Sequence, residues 1–338
     1  MITEQGTTLD YILNCFKRNS GKIFFAAILC ICFSGCWPFR VAVENIDRTI
    51  FDNPDSIPNR ITHPFNDSVK FSALWVGHST TLIQIDDKSI IFDPVFNDVI
   101  GAATLRSKEP GIDIKNISKL DLVLISHAHM DHMSLGTIQD LDDKFPNAKL
   151  IFPYGAEKYL SNYNMDMVRM KTGNSIEMGY VGETKDFDGV KVTTIFASHF
   201  GGRYGLDSYL WKVPGYTGYI VEYKGITVLY SGDTAYDEYA YKVIGEKYHV
   251  NLAVIPIGPC RECDSTGNFS HVATRGALMM FDDLKADLMI PVHYGAITYF
   301  NDSRQPVYVL ENIIAEEPKY KDRVKILTEG EQVVLERK

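Results

Sequence analysis

Within Ser126-His127-Ala128-His129-Met130-Asp131-His132, three imidazoles and one carboxylate fall in six consecutive residues. Neutral imidazole nitrogen and carboxylate oxygen are preferred ligands of divalent cations, zinc above all. A solvated polar loop has no need of such a cluster, so the spacing itself points to a metal site. Three further residues recur in a related context. His199, Asp233 and His293 each stand just beyond an apolar run: Val190–Phe196, Ile226–Tyr230 and Asp287–Val292. One histidine after a strand is ordinarily a surface or satisfied histidine. Three such residues in addition to the cluster describe a site assembled from loops at strand ends, where a rigid scaffold commonly carries function.

The elements that must position these residues are legible from hydrophobic period and turn chemistry. Leu120–Ile125, directly before the cluster, reads as a buried strand. Strands are also predicted over 71–76, 81–85, 89–92, 149–152, 190–196, 217–223, 226–230, 251–257 and 287–292. Asp86-Asp87-Lys88 and Lys224-Gly225 give hairpin turns between adjacent strands. Helices are predicted over 135–145, 236–247 and 272–284. Each half of the chain thus opens with a hairpin and continues by alternating strand with helix. Two sheets packed together with helices outside account for that order.

The motif His127-x-His129-x-Asp131-His132, followed by His199, Asp233 and His293, resembles the metallo-β-lactamase superfamily over about residues 70–335. The resemblance implies an αββα sandwich, an α/β fold of four layers, with a one- or two-metal site at one sheet edge. Carried over position by position, it implies that His127, His129 and His199 hold a first zinc. Asp131, His132 and His293 would hold a second, with Asp233 bridging both. Two cations can share a hydroxide and so supply the nucleophile of a hydrolase, with Asp131 also serving as its proton acceptor. Asp93 in Ile91-Phe92-Asp93-Pro94 matches a position that orients a ligand histidine; a turn-starting aspartate before proline is the alternative. His78 reads either as a similar support or as a loop histidine.

Within the superfamily, Trp75-Val76-Gly77-His78-Ser79-Thr80, Phe92-Asp93-Pro94, Ser231-Gly232-Asp233-Thr234, Ile255-Pro256-Ile257-Gly258 and Pro291-Val292-His293-Tyr294-Gly295 resemble the N-acyl phosphatidylethanolamine-hydrolysing phospholipase D group and its bacterial relatives. Lactonases that open ascorbate phosphate share several of these motifs. His271 matches a pocket histidine of the phospholipase group that would hold a phosphate oxygen or polarise substrate. The loops 201–216 and 259–269 depart from the pattern. In the first, Arg203 reads as an anion partner or a solvated cation, and Tyr209, Trp211 and Tyr216 as pocket or packing residues. The implied activity is phosphodiester hydrolysis on a phospholipid. A lactonase or amidase, and a zinc-binding lipoprotein without catalysis, are the competing readings. Iron or manganese could replace zinc in the same ligand set.

Composition bounds the rest. The chain has 338 residues and a net charge of −9, with no basic stripe to hold a nucleic-acid backbone. Lys17, Arg18 and Lys22 precede the apolar run Ile23–Phe33, then Ser34-Gly35-Cys36. This reads as a lipoprotein signal over 1–35 with lipidation at Cys36, giving an exported, membrane-anchored enzyme. An uncleaved anchor and a buried helix are the alternatives. Residues 36–69 form a tether and lead-in, and 70–338 the catalytic domain. After cleavage only Cys260 and Cys263 remain as thiols; they are read as a disulfide, as free thiols or, least favourably, as metal ligands.

Overall fold

Two hairpins with tight turns set the register of both halves of the molecule. The computed structural model describes residues 49–101, 104–173, 179–204, 207, 215–298 and 302–336. β1 (Val69–Gly77), β2 (Thr80–Ile85) and β3 (Lys88–Phe92) run antiparallel, and Asp86 takes a left-handed φ of 55° in the β2–β3 turn. The short pair β4 (Val99–Ile100) and β5 (Thr104–Leu105) stands apart. β6 (Leu122–Leu124), β7 (Lys149–Pro153) and β8 (Asp166–Met170) then continue the first sheet in parallel from β3. In the second half, β9 (Val181–Phe187), β10 (Val190–Ile195), β11 (Gly218–Tyr223) and β12 (Ile226–Tyr230) are antiparallel. β13 (Leu252–Pro256) and β14 (Leu288–Val292) extend that sheet in parallel. Lys224 and Gly225 both have positive φ, 45° and 77°, the backbone of a two-residue turn matched to strand twist. β15 (Gln332–Glu336) returns to pair with β1, so the first sheet has the order β15-β1-β2-β3-β6-β7-β8. The second has the order β14-β13-β12-β11-β10-β9.

Alternation along the first sheet shows why its strands are apolar on both faces. Phe71, Ala73 and Trp75 of β1, Ile83 and Ile85 of β2, and Ile90 and Phe92 of β3 point into one core shared with the second sheet. Leu74, Val76, Leu82 and Ile91 point the other way. There they meet Ile138 and Leu141 of α1 (Leu135–Lys144). Tyr241 and Ile244 of α2 (Glu238–Lys247), Phe281 of α3 (Thr274–Asp283) and Leu310 of α4 (Gln305–Glu316) join the core around the second sheet. The result is the expected αββα sandwich. Residues 49–68 lie against the domain through isolated bridges, Asp55 with Lys108 and Ile61 with Ile112.

The cluster histidines sit where the two sheets are joined at one edge. Tyr230 of β12 stacks on Phe92 of β3 with ring centroids 4.6 Å apart, and its hydroxyl donates to Asp93 Oδ2 at 2.7 Å. Tyr219 of β11 donates to Ile125 O at 2.8 Å, immediately before the cluster. Among the described residues no helix is long and apolar enough to cross a membrane. The signal segment and Cys36 lie outside the described residues, as do Tyr209 and Trp211.

Candidate metal centre

Seven of the chain's nine histidines converge with Asp93, Asp131 and Asp233 at this edge. His127, His129, Asp131 and His132 leave the end of β6. His199 follows β10, Asp233 follows β12, His293 follows β14, and His78 lies in the β1–β2 turn. Ligand atoms of His127, His129 and His199 lie within 4.8 Å of one another; so do those of His78, Asp131, His132 and His293.

Hydrogen bonds behind the rings fix which nitrogen faces the centre. Asp93 Oδ2 takes the Ser126 hydroxyl at 2.5 Å and the Tyr230 hydroxyl at 2.7 Å, and lies 2.7 Å from His132 Nδ1. Its Oδ1 takes the Ser126 amide at 2.6 Å. A carboxylate only accepts, so His132 carries its proton on Nδ1 and turns Nε2 inward. Ser126 Oγ, its own proton given to Asp93, accepts from His127 Nδ1 at 2.8 Å. His199 Nδ1 donates to the Ser270 carbonyl at 2.8 Å. All three rings therefore turn Nε2 to the same space, the arrangement by which a hydrogen-bonded imidazole is prepared for a metal.

The distances inside suit cations. His129 Nδ1 stands 2.8 Å from His127 Nε2 and 3.2 Å from His199 Nε2. Ligand atoms about 2.0–2.1 Å from a tetrahedral zinc are themselves about 3.3 Å apart. Asp233 Oδ2 is 3.1 Å from His293 Nε2, 3.2 Å from His132 Nε2, 3.3 Å from His271 Nε2 and 4.0 Å from His199 Nε2. That oxygen faces both halves of the cluster. Its partner Oδ1 is buried with no hydrogen-bond donor, which a buried carboxylate oxygen rarely tolerates. Asp131 Oδ2 lies 3.0 Å from His78 Nε2 and 3.4 Å from His293 Nε2. The donor set, its tautomers and the orphaned oxygen fit a pair of divalent cations.

Protonation divides the cluster in two. Burial, reinforced by neighbouring imidazoles, drives His127 and His199 well below the usual histidine value. Burial also lowers His129 to about 4 and, with His293 beside it, His78 to about 4. Burial would lower His132 and His293 too, but the Asp233 and Asp131 carboxylates outweigh it. They hold His132 well above its usual value and raise His293 to about 9. Despite burial, the surrounding imidazoles keep both Asp131 and Asp233 ionised well below the usual carboxylate range.

Several placements differ from, or add to, the sequence reading. Arg203 is neither a solvated cation nor, through Nη1, an anion partner: Nη1 donates to Ala128 O at 2.9 Å and Met133 O at 2.8 Å. Tyr216 lies at the site, its ring centroid 6.2 Å from that of His199. Phe200, not singled out beforehand, has its ring 4.6 Å from both His129 and His199. Ser126, Tyr230 and the Ser270 carbonyl were also missed as supports; the first two border the His127 and Asp233 motifs, so adjacency was their only signal. Cys260 and Cys263 are joined in a disulfide. They are nearly buried against Ala273, at the start of α3.

The family model described as a beta-lactamase superfamily domain matches residues 88–294. The chain belongs to that superfamily. Among the relatives it matches, N-acyl-phosphatidylethanolamine-hydrolyzing phospholipase D 1 of Caenorhabditis elegans is 26% identical over 223 residues, 64% of this chain. The match spans 62% of that relative, less than two thirds of its length. A metal-dependent hydrolase of Sulfurisphaera tokodaii is 29% identical over 65% of this chain and 82% of its own. A metallo hydrolase from the archaeon Ignicoccus hospitalis superposes with a TM-score of 0.55 at 20% identity, covering 79% of this chain and 99% of its own. That likeness carries the superfamily fold.

Proposed function

We propose that this superfamily member is a metal-dependent hydrolase of phosphodiesters, with a phospholipid of the N-acyl phosphatidylethanolamine class as its substrate. The observation that carries the hydrolase reading is the position of Asp233. One carboxylate oxygen stands 3.1–4.0 Å from imidazoles of both histidine groups. His127, His129 and His199 would hold one cation, Asp131, His132 and His293 the other, and Asp233 both. The histidine-rich set suits two zinc ions, with iron or manganese as alternatives.

When bound, the cations supply Lewis acidity and stabilise charge on the phosphoryl oxygens. Asp131 Oδ2, ionised and steadied by His78 Nε2 at 3.0 Å, accepts the proton lost by the attacking water. His271 stands on the open side, its side chain 16% exposed, with Nε2 3.3 Å from Asp233 Oδ2. There it holds a phosphate oxygen or polarises the scissile bond. The phospholipid reading draws support from the activity for which the Caenorhabditis elegans relative is named. It is also consistent with exposed aromatic side chains on two site loops: Tyr204, 65% exposed beside Arg203, and Phe269, 84% exposed beside Ser270. Export with lipidation at Cys36 would bring such a site to membrane lipid. The Cys260–Cys263 disulfide suits an oxidising compartment.

The test is product analysis on full-length protein given phospholipid phosphodiesters and a lactone and amide panel, with and without chelator. The expected result is chelator-sensitive release of a phosphatidic acid, abolished by Asp233→Ala. Lactone or amide turnover without phosphodiester turnover would reject the substrate. Hydrolysis surviving both the chelator and Asp233→Ala would reject the metal mechanism.

A further inference from the structure

Arg203 sits four residues beyond His199, yet its guanidinium bonds to a different loop. Nη1 donates to Ala128 O and Met133 O, the two carbonyls that bracket His129, Asp131 and His132. Within the bracket, His129 O accepts from the amides of His132 at 3.1 Å and Met133 at 2.8 Å, so the segment is a closed turn with Arg203 fastened across its mouth. Arg203 is itself tied down. Asp207 accepts from the Arg203 amide at 3.0 Å and 3.2 Å and from the Tyr204 amide at 2.9 Å. The Tyr159 hydroxyl, from the segment between β7 and β8, also donates to Asp207. A chain of bonds thus runs from the β7–β8 connection, through the loop bearing His199, to the loop bearing four other centre residues.

We infer that Arg203 is a positioning residue, which locks the His199 loop to the His127–His132 loop and so sets the spacing of the first histidine triad. This rests on the metal-centre reading above, because only a shared cation needs His199 held to a few tenths of an ångström against His127 and His129. An arginine reserved for substrate anions would leave metal binding untouched; an arginine that positions ligands would not. Partners of this kind change metal affinity or activity by about 10–100-fold when removed.

The experiment uses full-length protein and cobalt(II) alone as the probe, comparing wild type with Arg203→Ala, Arg203→Lys and Asp207→Asn. Affinity is read by chelator competition, and ligand geometry by the visible absorption of bound cobalt. Arg203→Ala is expected to weaken binding about 10–100-fold and alter the cobalt spectrum, with the thermal midpoint of the metal-free protein little changed. Arg203→Lys keeps a donor without the planar fork and should recover part of the loss. Asp207→Asn loosens the same loop without touching the guanidinium, and should move affinity in the same direction by less. Wild-type affinity and spectrum in Arg203→Ala would overturn the proposal while leaving the metal centre standing. So would a fall in metal-free thermal midpoint with cobalt affinity unchanged in the folded protein. If Arg203→Ala does not fold, the lysine and Asp207 variants decide by the same readouts. A wild type that binds no cobalt would instead overturn the centre itself.

Discussion

At the residue scale, the chemistry depends on how few side chains are left to choose their own state. Asp93 takes four donors from two segments, the loop after β6 and the end of β12, and is wholly buried, so which His132 nitrogen faces the centre is decided before any cation arrives. The sequence shows His127, His129, Asp131, His132, His199, Asp233 and His293 openly, because four ligand-type residues crowded into six positions and three more at strand ends form a combination that chance does not readily supply. It hides Arg203 and Tyr230, whose partners lie 70–75 and 137 residues away and leave no local pattern. Protonation yields a prediction with a definite sign. His78 and His129, lowered to about 4, stay neutral in the folded protein, while the unfolded chain binds protons near 6.5. Their contribution is therefore lost as pH falls from about 6.5 toward 4. His293, raised to about 9, behaves oppositely: its contribution is complete below 6.5 and lost as pH rises through about 9. Thermal midpoints of chelator-treated protein should peak near pH 6.5 and fall on either side. Metal loading should flatten the alkaline limb, since cations replace the protons on His132 and His293. A metal-free profile flat between pH 6.5 and 9 would contradict this assignment.

At the element scale, the strands that position the centre are the ones the sequence reveals. β3, β6, β10 and β12 lie inside their sheets, and β14, though at an edge, is buried like them; all carry runs of buried apolar residues. The strands of the two large sheets that were not anticipated, β8, β9 and β15, each lie at a sheet edge, and the two-residue strands β4 and β5 were not anticipated either. Their burial is interrupted, as in β9, where Gly182, Glu183, Lys185 and Asp186 are partly or fully exposed. β15 finds β1 across more than 250 residues, a pairing no local window contains. The turn after β12 shows how tightly element ends are packed. Gly232 has φ +59°, and a Cβ there would stand 2.7 Å from Ser126 Cβ and 2.9 Å from Thr217 O. Ser126 cannot give way without moving the loop that carries His127, and Thr217 O is backbone at the start of β11. Gly232→Ala should cost about 1–3 kcal/mol of stability and weaken binding of both cations, read by thermal melting and metal titration. Wild-type metal affinity in that variant would show that the turn does not set the position of Asp233.

At the scale of the whole molecule, two similar halves meet at one edge and neither holds a complete ligand set. The first sheet contributes His127, His129, Asp131 and His132, and the second His199, Asp233 and His293. Hydroxyls of Tyr219 and Tyr230 hold the two sheets together beside the site. A cation bridging the halves would therefore stabilise their packing as well as catalyse, since a ligand bound only by the native state adds to stability. On this reading these seven side chains hold two cations with Asp233 between them. Anomalous diffraction from crystals of metal-loaded full-length protein, collected at the metal's absorption edge, tests it most directly. Two peaks are expected, one against His127, His129 and His199 and one against Asp131, His132 and His293, both in contact with Asp233. A single peak, or peaks that leave Asp233 uncoordinated, would contradict it.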